Sequence, residues 1–196
     1  ISQMKYEGHF LLWYLILMPF AKLGFPYITT NIISWIITSI SVWLIVKYAP
    51  FKKYKKYLFI FSWPMLYLFP IVSRCYCLIP LAITLIAIFY RDRKTKPIRY
   101  VLAIALLANT HIIMLGMVGI LLLEFYVEQL KNRKLNTRKE NKNIILSFII
   151  IGIILILSAF PLVQAVTTRN LSIEVDIKQK LYDMFFKEPY IMILNI

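Results

Sequence analysis

Glycine, cysteine and histidine are scarce in this chain, which has 5 Gly, 2 Cys and 2 His among 196 residues. Its sequence contains no Walker phosphate loop, dinucleotide-binding glycine fingerprint or serine-nucleophile elbow. Cys75 and Cys77 are too close in sequence for a relaxed disulfide, and without further Cys or a facing His cluster they make no zinc site. We interpret the two cysteines as helix-packing residues, and we predict no metal-ligand cluster from this sequence.

Acidic residues are also scarce, with 9 Asp and Glu against 23 Lys and Arg and a formal net charge of +14. The positive charge is concentrated in three basic blocks between long apolar runs, at residues 47–56, 91–99 and 131–142. In a soluble chain this charge would suggest nucleic acid. Because it lies in turns between apolar segments, anionic lipid headgroups are the expected partners and nucleic acid is not.

Hydrophobic residues, by contrast, make up 60% of the chain, and its mean hydropathy is +0.71. A soluble domain of this length cannot bury so much apolar surface in one core. We therefore predict an all-α fold, a polytopic transmembrane helical bundle with short juxtamembrane and broken helices on the external face. Short loops rich in Lys and Arg stay on the cytoplasmic side. A multi-pass location in a bacterial cytoplasmic membrane follows, with the basic loops cytoplasmic.

The three blocks constrain the path of the chain, because each stretch between two cytoplasmic blocks must cross the membrane an even number of times. We treat 1–196 as a single membrane domain and a fragment of a longer protein. Proline residues are expected to kink or end several helices. The predicted parts are an external loop at 1–28 with a shallow helix at 10–20, transmembrane helices over 29–162, and an external loop at 163–196 with an amphipathic helix at 172–187.

Residues 98–127 present a conflict, since their length suits one span while parity requires two crossings or none. If Asn109-Thr110-His111 is a turn, two helices of about 15 residues each would reach only about 22 Å and would thin the bilayer or form a re-entrant hairpin. One long tilted helix is the alternative, and it would put the third block outside. We favour the short hairpin, because the long helix violates the charge rule.

This path brings five polar residues to the external side of the membrane: Glu7, His9, Arg74, Asn109 and His111. Ionisable residues at membrane depth are costly and usually face a cavity or a partner. Glu7 beside His9 can act as a general base or hold a divalent cation, although solvated loop residues are the simpler interpretation. Arg74 can bind a phosphate or extend to lipid headgroups. His111 and Asn109 can satisfy broken helix ends or line a cavity.

Several short stretches resemble multispanning GT-C type membrane glycosyltransferases, the first three the start of such a chain and the last two its later helices. They are YEGH at 6–9, LWYL at 12–15, AKLGFP at 21–26, SRCY at 73–76 and LANTH at 107–111. The chain differs from many members of that family in having a single acid, Glu7, in its first external loop. The resemblance implies transfer of a sugar from a polyprenyl-phosphate-linked donor to an acceptor on the external face. Glu7 and His9 would be catalytic, Arg74 would bind the donor phosphate, and Asn109 and His111 would line the cavity.

Other functions fit the same features. A non-catalytic transporter or flippase-like protein for a lipid-linked glycan would bind its cargo in the same external cavity, and a membrane-embedded glycan polymerase is a close relative of the transferase. Paired broken helices in an internal repeat would favour transport, and the sequence contains no convincing repeat. The cofactor is unknown, with a divalent cation left open, and the expected partners are membrane lipids and a lipid-linked sugar donor.

Overall fold

The structure is a computed structural model that describes residues 11–72, 74–132 and 137–168. At residues 11, 139 and 159–168 it describes the backbone only. Every regular element in these ranges is helical, as the sequence predicts. The helices are α1 (Leu11–Lys22), α2 (Ile28–Tyr48), α3 (Lys53–Ile60), α4 (Phe69–Ile71), α5 (Leu78–Tyr90), α6 (Pro97–Ala108), α7 (Met114–Asn132) and α8 (Arg138–Thr168). A π-helical turn at Pro64–Leu68 precedes α4, and a 3-10 turn at Cys75–Cys77 precedes α5.

Two stretches of helix in the described part are long and apolar enough to cross a membrane: Ile28–Tyr48 and Glu140–Ser158. Their length and composition support membrane association. The other apolar helices are shorter, at Leu12–Lys22, Cys75–Tyr90 and Pro97–Ala108. A path that crosses the membrane more than twice therefore stays a prediction. The all-helical architecture of the described residues is compatible with it.

Proline acts differently at three positions. The helix that begins as α3 ends before Pro64, and Ser62 turns back to donate its hydroxyl to the Phe59 carbonyl at 2.7 Å. Pro19 instead lies inside α1, and the backbone of α8 continues beyond Pro161 to Thr168. Of the kinks and helix ends expected at proline, the structure shows one before Pro64, whereas α1 and α8 continue through Pro19 and Pro161. A proline removes only one intrahelical hydrogen bond, which the neighbouring turns can tolerate.

Residues 98–127 form two helices joined by a turn, as in the hairpin interpretation. α6 ends at Ala108 and α7 begins at Met114. The Tyr100 ring near the start of α6 lies 5.3 Å from the Phe125 ring near the end of α7. The two helices are therefore antiparallel. Phe125 also stacks on Phe148 of α8, with ring centroids 5.7 Å apart, so α8 joins the same core.

The core of the described residues consists of two clusters. The larger one joins α5, α6, α7 and α8, and its fully buried members include Tyr100, Ile104, Leu107 and Phe125. The smaller one lies where α1, α2 and α5 begin, and it contains Trp13, Ile33, Cys75, Cys77 and Leu78. Both cysteines are buried, which agrees with a packing role. Trp13, which its residue type assigned to the membrane interface, is 5% exposed, because α1 packs it against α2 and α5.

Large apolar side chains also cover the outward faces of the helices. Trp35 is 63% exposed, Leu123 63% and Ile156 72%, and many similar residues surround them. Monomeric soluble proteins rarely expose apolar patches of this extent. The surface is what a lipid environment or a further protein layer would cover.

The basic blocks lie away from the smaller cluster. Since α2 and α5 both begin at that cluster, the blocks at their carboxyl ends lie at the other end of the bundle. Lys56 donates to the Val46 carbonyl at 2.7 Å, which brings the first block together at the end of α2. Arg93 and Lys94 pair with Glu128, close in sequence to the third block. We call the end of the bundle that carries these basic residues the basic end.

The chain divides into two compact units, Ile1–Leu162 and Val163–Ile196. In the second unit the structure describes the helical backbone of 163–168. The predicted amphipathic helix at 172–187 lies outside the described residues, as do residues 1–10 of the predicted first external loop, which include the stretch YEGH at 6–9.

Candidate functional site

The turn between α6 and α7 carries Asn109, Thr110 and His111, and the three side chains close the ends of the two helices. Asn109 is 8% exposed and donates Nδ2–H to the Ala105 carbonyl at 2.9 Å. Thr110 is fully buried and donates its hydroxyl to the Leu107 carbonyl at 2.7 Å. The carbonyls at the end of α6 thus keep partners where the helical ladder stops, as a broken helix requires.

His111 satisfies the beginning of α7 in the same way. Its Nδ1 accepts a hydrogen bond from the backbone N–H of Ile113 at 3.3 Å. The Nδ1 atom thus acts as an acceptor for a backbone N–H at the start of α7. This agrees with the interpretation of His111 as a group that satisfies a helix end.

Ser158 connects the turn to α8. Its Oγ lies 2.6 Å from Asn109 Oδ1 and 2.7 Å from the Ile154 carbonyl. Since a serine hydroxyl has one proton, it donates to one of these oxygens at a time. The Asn109 side chain is consequently hydrogen-bonded to Ala105 of α6 and to Ser158 of α8, which lies 49 residues further along the chain.

The loop that carries Arg74 reaches the same turn. Tyr76, two residues after Arg74, places its ring 5.7 Å from the His111 ring, with 30° between the ring planes. The Arg74 backbone is extended, and its carbonyl accepts a hydrogen bond from the Cys77 N–H at 3.4 Å. Arg74 is exposed and forms none of the three ion pairs found among the described residues. We call Arg74, Tyr76, Asn109, His111 and Ser158 the polar turn cluster.

A second polar group lies at the basic end of the bundle. Arg93 donates Nε–H to Glu128 Oε2 at 2.8 Å, and Lys94 Nζ lies 3.3 Å from the other Glu128 oxygen. The Tyr90 hydroxyl donates to Glu124 Oε1 at 2.7 Å. Lys131 on the same helix belongs to none of the three ion pairs found among the described residues. The turn after α5 supplies the cations instead, and it thereby holds α5 to α7.

Among the site residues predicted from sequence, Arg74, Asn109 and His111 lie in the described part. The loop that carries Arg74 meets the turn that carries Asn109 and His111 through the Tyr76–His111 contact. Glu7 and His9 lie outside the described residues, so their catalytic role stays a prediction. Within the described part, no group of three or more His, Cys, Asp or Glu residues could hold a metal ion.

Two members of the polar turn cluster were not found by sequence reasoning. Tyr76 had a signal, since it lies in the SRCY stretch beside Arg74, but nothing in the sequence pairs it with His111. Ser158 is one of several Ser and Thr residues in apolar helices, where a hydroxyl commonly bonds the carbonyl one turn before it. Only the packing of α8 against the turn distinguishes Ser158 from the others.

Comparison with known proteins identifies no family for this chain. No protein-family model, curated protein or solved structure matches it. The function is therefore argued from the residues and their geometry.

Proposed function

We propose that this protein is a multi-pass membrane glycosyltransferase of the GT-C type, which transfers a sugar from a polyprenyl-phosphate-linked donor to an acceptor on the external face. The observation that carries the proposal is the 5.7 Å contact between the Tyr76 and His111 rings. This contact joins an exposed arginine loop to a buried polar turn. A lipid-linked sugar phosphate requires that combination, a cation at the protein surface beside polar groups at membrane depth.

The direction of the bundle supports the proposed sidedness. The polar turn cluster and the basic end belong to opposite ends of the α6–α7 hairpin, since Asn109 follows α6 while Arg93 and Glu128 meet where α6 begins and α7 ends. If the basic end is cytoplasmic, as loops rich in Lys and Arg are, the polar turn cluster is external. The exposed apolar faces between the two ends fit a lipid surround.

In the proposed reaction, the bond between the sugar anomeric carbon and the donor phosphate oxygen breaks while a bond to the acceptor oxygen forms. Arg74 binds the phosphate through its planar set of N–H donors and stabilises the charge that the leaving polyprenyl phosphate gains. Glu7 accepts the proton of the acceptor hydroxyl as general base, and His9 assists it. Asn109 and His111 line the cavity beside the donor.

Arg74→Gln should reduce transfer by tenfold or more, because a charged hydrogen bond to phosphate contributes about 1.5–3 kcal/mol. The measurement is transfer of radiolabelled sugar from a polyprenyl-phosphate donor by the full-length protein in vesicles. Arg91→Gln is the matched control, since Arg91 is also exposed but lies in the second basic block. Equal losses of activity in both variants would exclude Arg74 from the phosphate site. Movement of the lipid-linked donor across the membrane without sugar transfer would favour the transport function.

The sidedness has its own test, which does not depend on the substrate. In a background with Cys75 and Cys77 replaced by Ala, single cysteines at Arg74 and His111 should react with a membrane-impermeant maleimide added from outside. Cysteines at Lys53 and Asp92, in the first and second basic blocks, should react only after the membrane is permeabilised. Labelling of Arg74 and Asp92 from the same side would contradict the proposed path.

A further inference from the structure

A cleft between α7 and α8 lies at the basic end of the bundle, away from the polar turn cluster. Its volume is about 310 Å³, at the lower end of the range found for ligand pockets. Seven residues line it: Tyr126, Gln129, Leu130, Asn141, Ile144, Ile145 and Phe148. The lining is mainly apolar, with two amide side chains.

The lining changes character along the cleft. The amides of Gln129 and Asn141 lie towards the third basic block, since Gln129 is close to the end of α7 and Asn141 close to the start of α8. Further from the block, the wall is made by Tyr126 and Phe148, whose rings meet edge to face with centroids 5.5 Å apart. The amides thus lie at the end of the cleft near the third basic block, and the aromatic rings lie further along the two helices.

Positive charge lies at the same end of the cleft. Arg138 and Lys142 are four residues apart, so helical periodicity places both on one strip of α8, beside the face that lines the cleft. Both are exposed, and neither belongs to the ion pairs found among the described residues, all of which involve Arg93 or Lys94. The exposed Lys131 follows Leu130 on the other wall.

We propose that this cleft is a binding site for one anionic phospholipid of the membrane. Arg138 and Lys142 bind the headgroup phosphate, Asn141 lies beside the polar glycerol region, and part of an acyl chain lies against Tyr126 and Phe148. The order of charge, amide and aromatic groups matches the order of groups in a phospholipid. The site is separate from the proposed sugar transfer and does not depend on it.

Native mass spectrometry of the full chain, released from nanodiscs of mixed phosphatidylglycerol and phosphatidylcholine with identical acyl chains, tests the site. The wild-type protein should retain one phosphatidylglycerol in preference to phosphatidylcholine. Arg138→Gln with Lys142→Gln should weaken this retention by about 10- to 30-fold. Lys52→Gln with Lys53→Gln removes the same charge from the first basic block, and it should change retention less than twofold.

A second variant tests the apolar part of the cleft. Leu130 lines the cleft and is 50% exposed, so Leu130→Trp can fill the space without disturbing the buried core. This variant should also lose the retained phosphatidylglycerol while keeping the wild-type melting temperature in detergent. Equal retention of both lipids by the wild type, equal effects of the two double variants, or full retention by a folded Leu130→Trp protein would each overturn the proposal.

Discussion

Glu7→Gln is expected to lower the rate of sugar transfer by about 10²- to 10⁴-fold, the usual contribution of a general base. Gln keeps the size and polarity of the side chain but cannot accept the proton of the acceptor hydroxyl. The substitution leaves every apolar segment and every basic block of the sequence unchanged. Membrane insertion and the pattern of external cysteine labelling should therefore stay as in the wild type.

The assay for Glu7 is initial-rate transfer by the full-length protein at saturating donor, with insertion measured in the same vesicles. Asp92→Asn serves as the matched control, since it removes one carboxylate from an exposed position in the second basic block. Its transfer rate should equal that of the wild type. Full activity of Glu7→Gln would exclude Glu7 as the base, and loss of insertion would show that Glu7 acts on the topology.

Phe125→Ala should cause the largest loss of stability, at about 3–5 kcal/mol. Phe125 is 1% exposed and lies between Tyr100 of α6 and Phe148 of α8, with ring centroids 5.3 and 5.7 Å away. Truncation would leave a cavity where three helices meet. Inside a membrane this packing matters especially, because lipid tails are as apolar as the helices and contact between side chains drives their association.

Leu123→Ala on the same helix is the control for Phe125→Ala. Leu123 is 63% exposed, so its truncation removes surface and creates no cavity. Thermal unfolding in detergent should show a clear fall in melting temperature for Phe125→Ala and little change for Leu123→Ala. A large effect at Leu123 would mean that the outward face of α7 packs against further protein.

Several features of the fold could be predicted because they depend on local chemistry. Long apolar runs form helices in any environment that excludes water, since backbone groups must find partners within the segment. The turn at Asn109–His111 was predictable for a similar reason, because Asn and Thr side chains bond nearby backbone groups and so compete with a continuing helix. The break before Pro64 follows from the N–H that proline lacks.

The effect of Pro19 and the environment of Trp13 could not be predicted in this way. Local preference ends a helix at proline, but α1 continues through it. Residue type assigns Trp13 to an interface, but α1 buries it against Ile33 and Cys77. In both cases the outcome depends on neighbours that are distant in sequence, and their packing outweighs the local preference.

The sequence by itself determined that this chain is helical and apolar, with most of its positive charge in three blocks between apolar runs and its acids too few for a large ionic core. The tertiary structure alone decided that Glu128 pairs with Arg93 rather than Lys131, that Ser158 bonds Asn109, and that Tyr76 meets His111. Each of these contacts joins residues on different helices. Their partners are chosen by the direction and spacing of whole helices, which depend on how side chains such as Tyr100 and Phe125 pack and not on any local pattern.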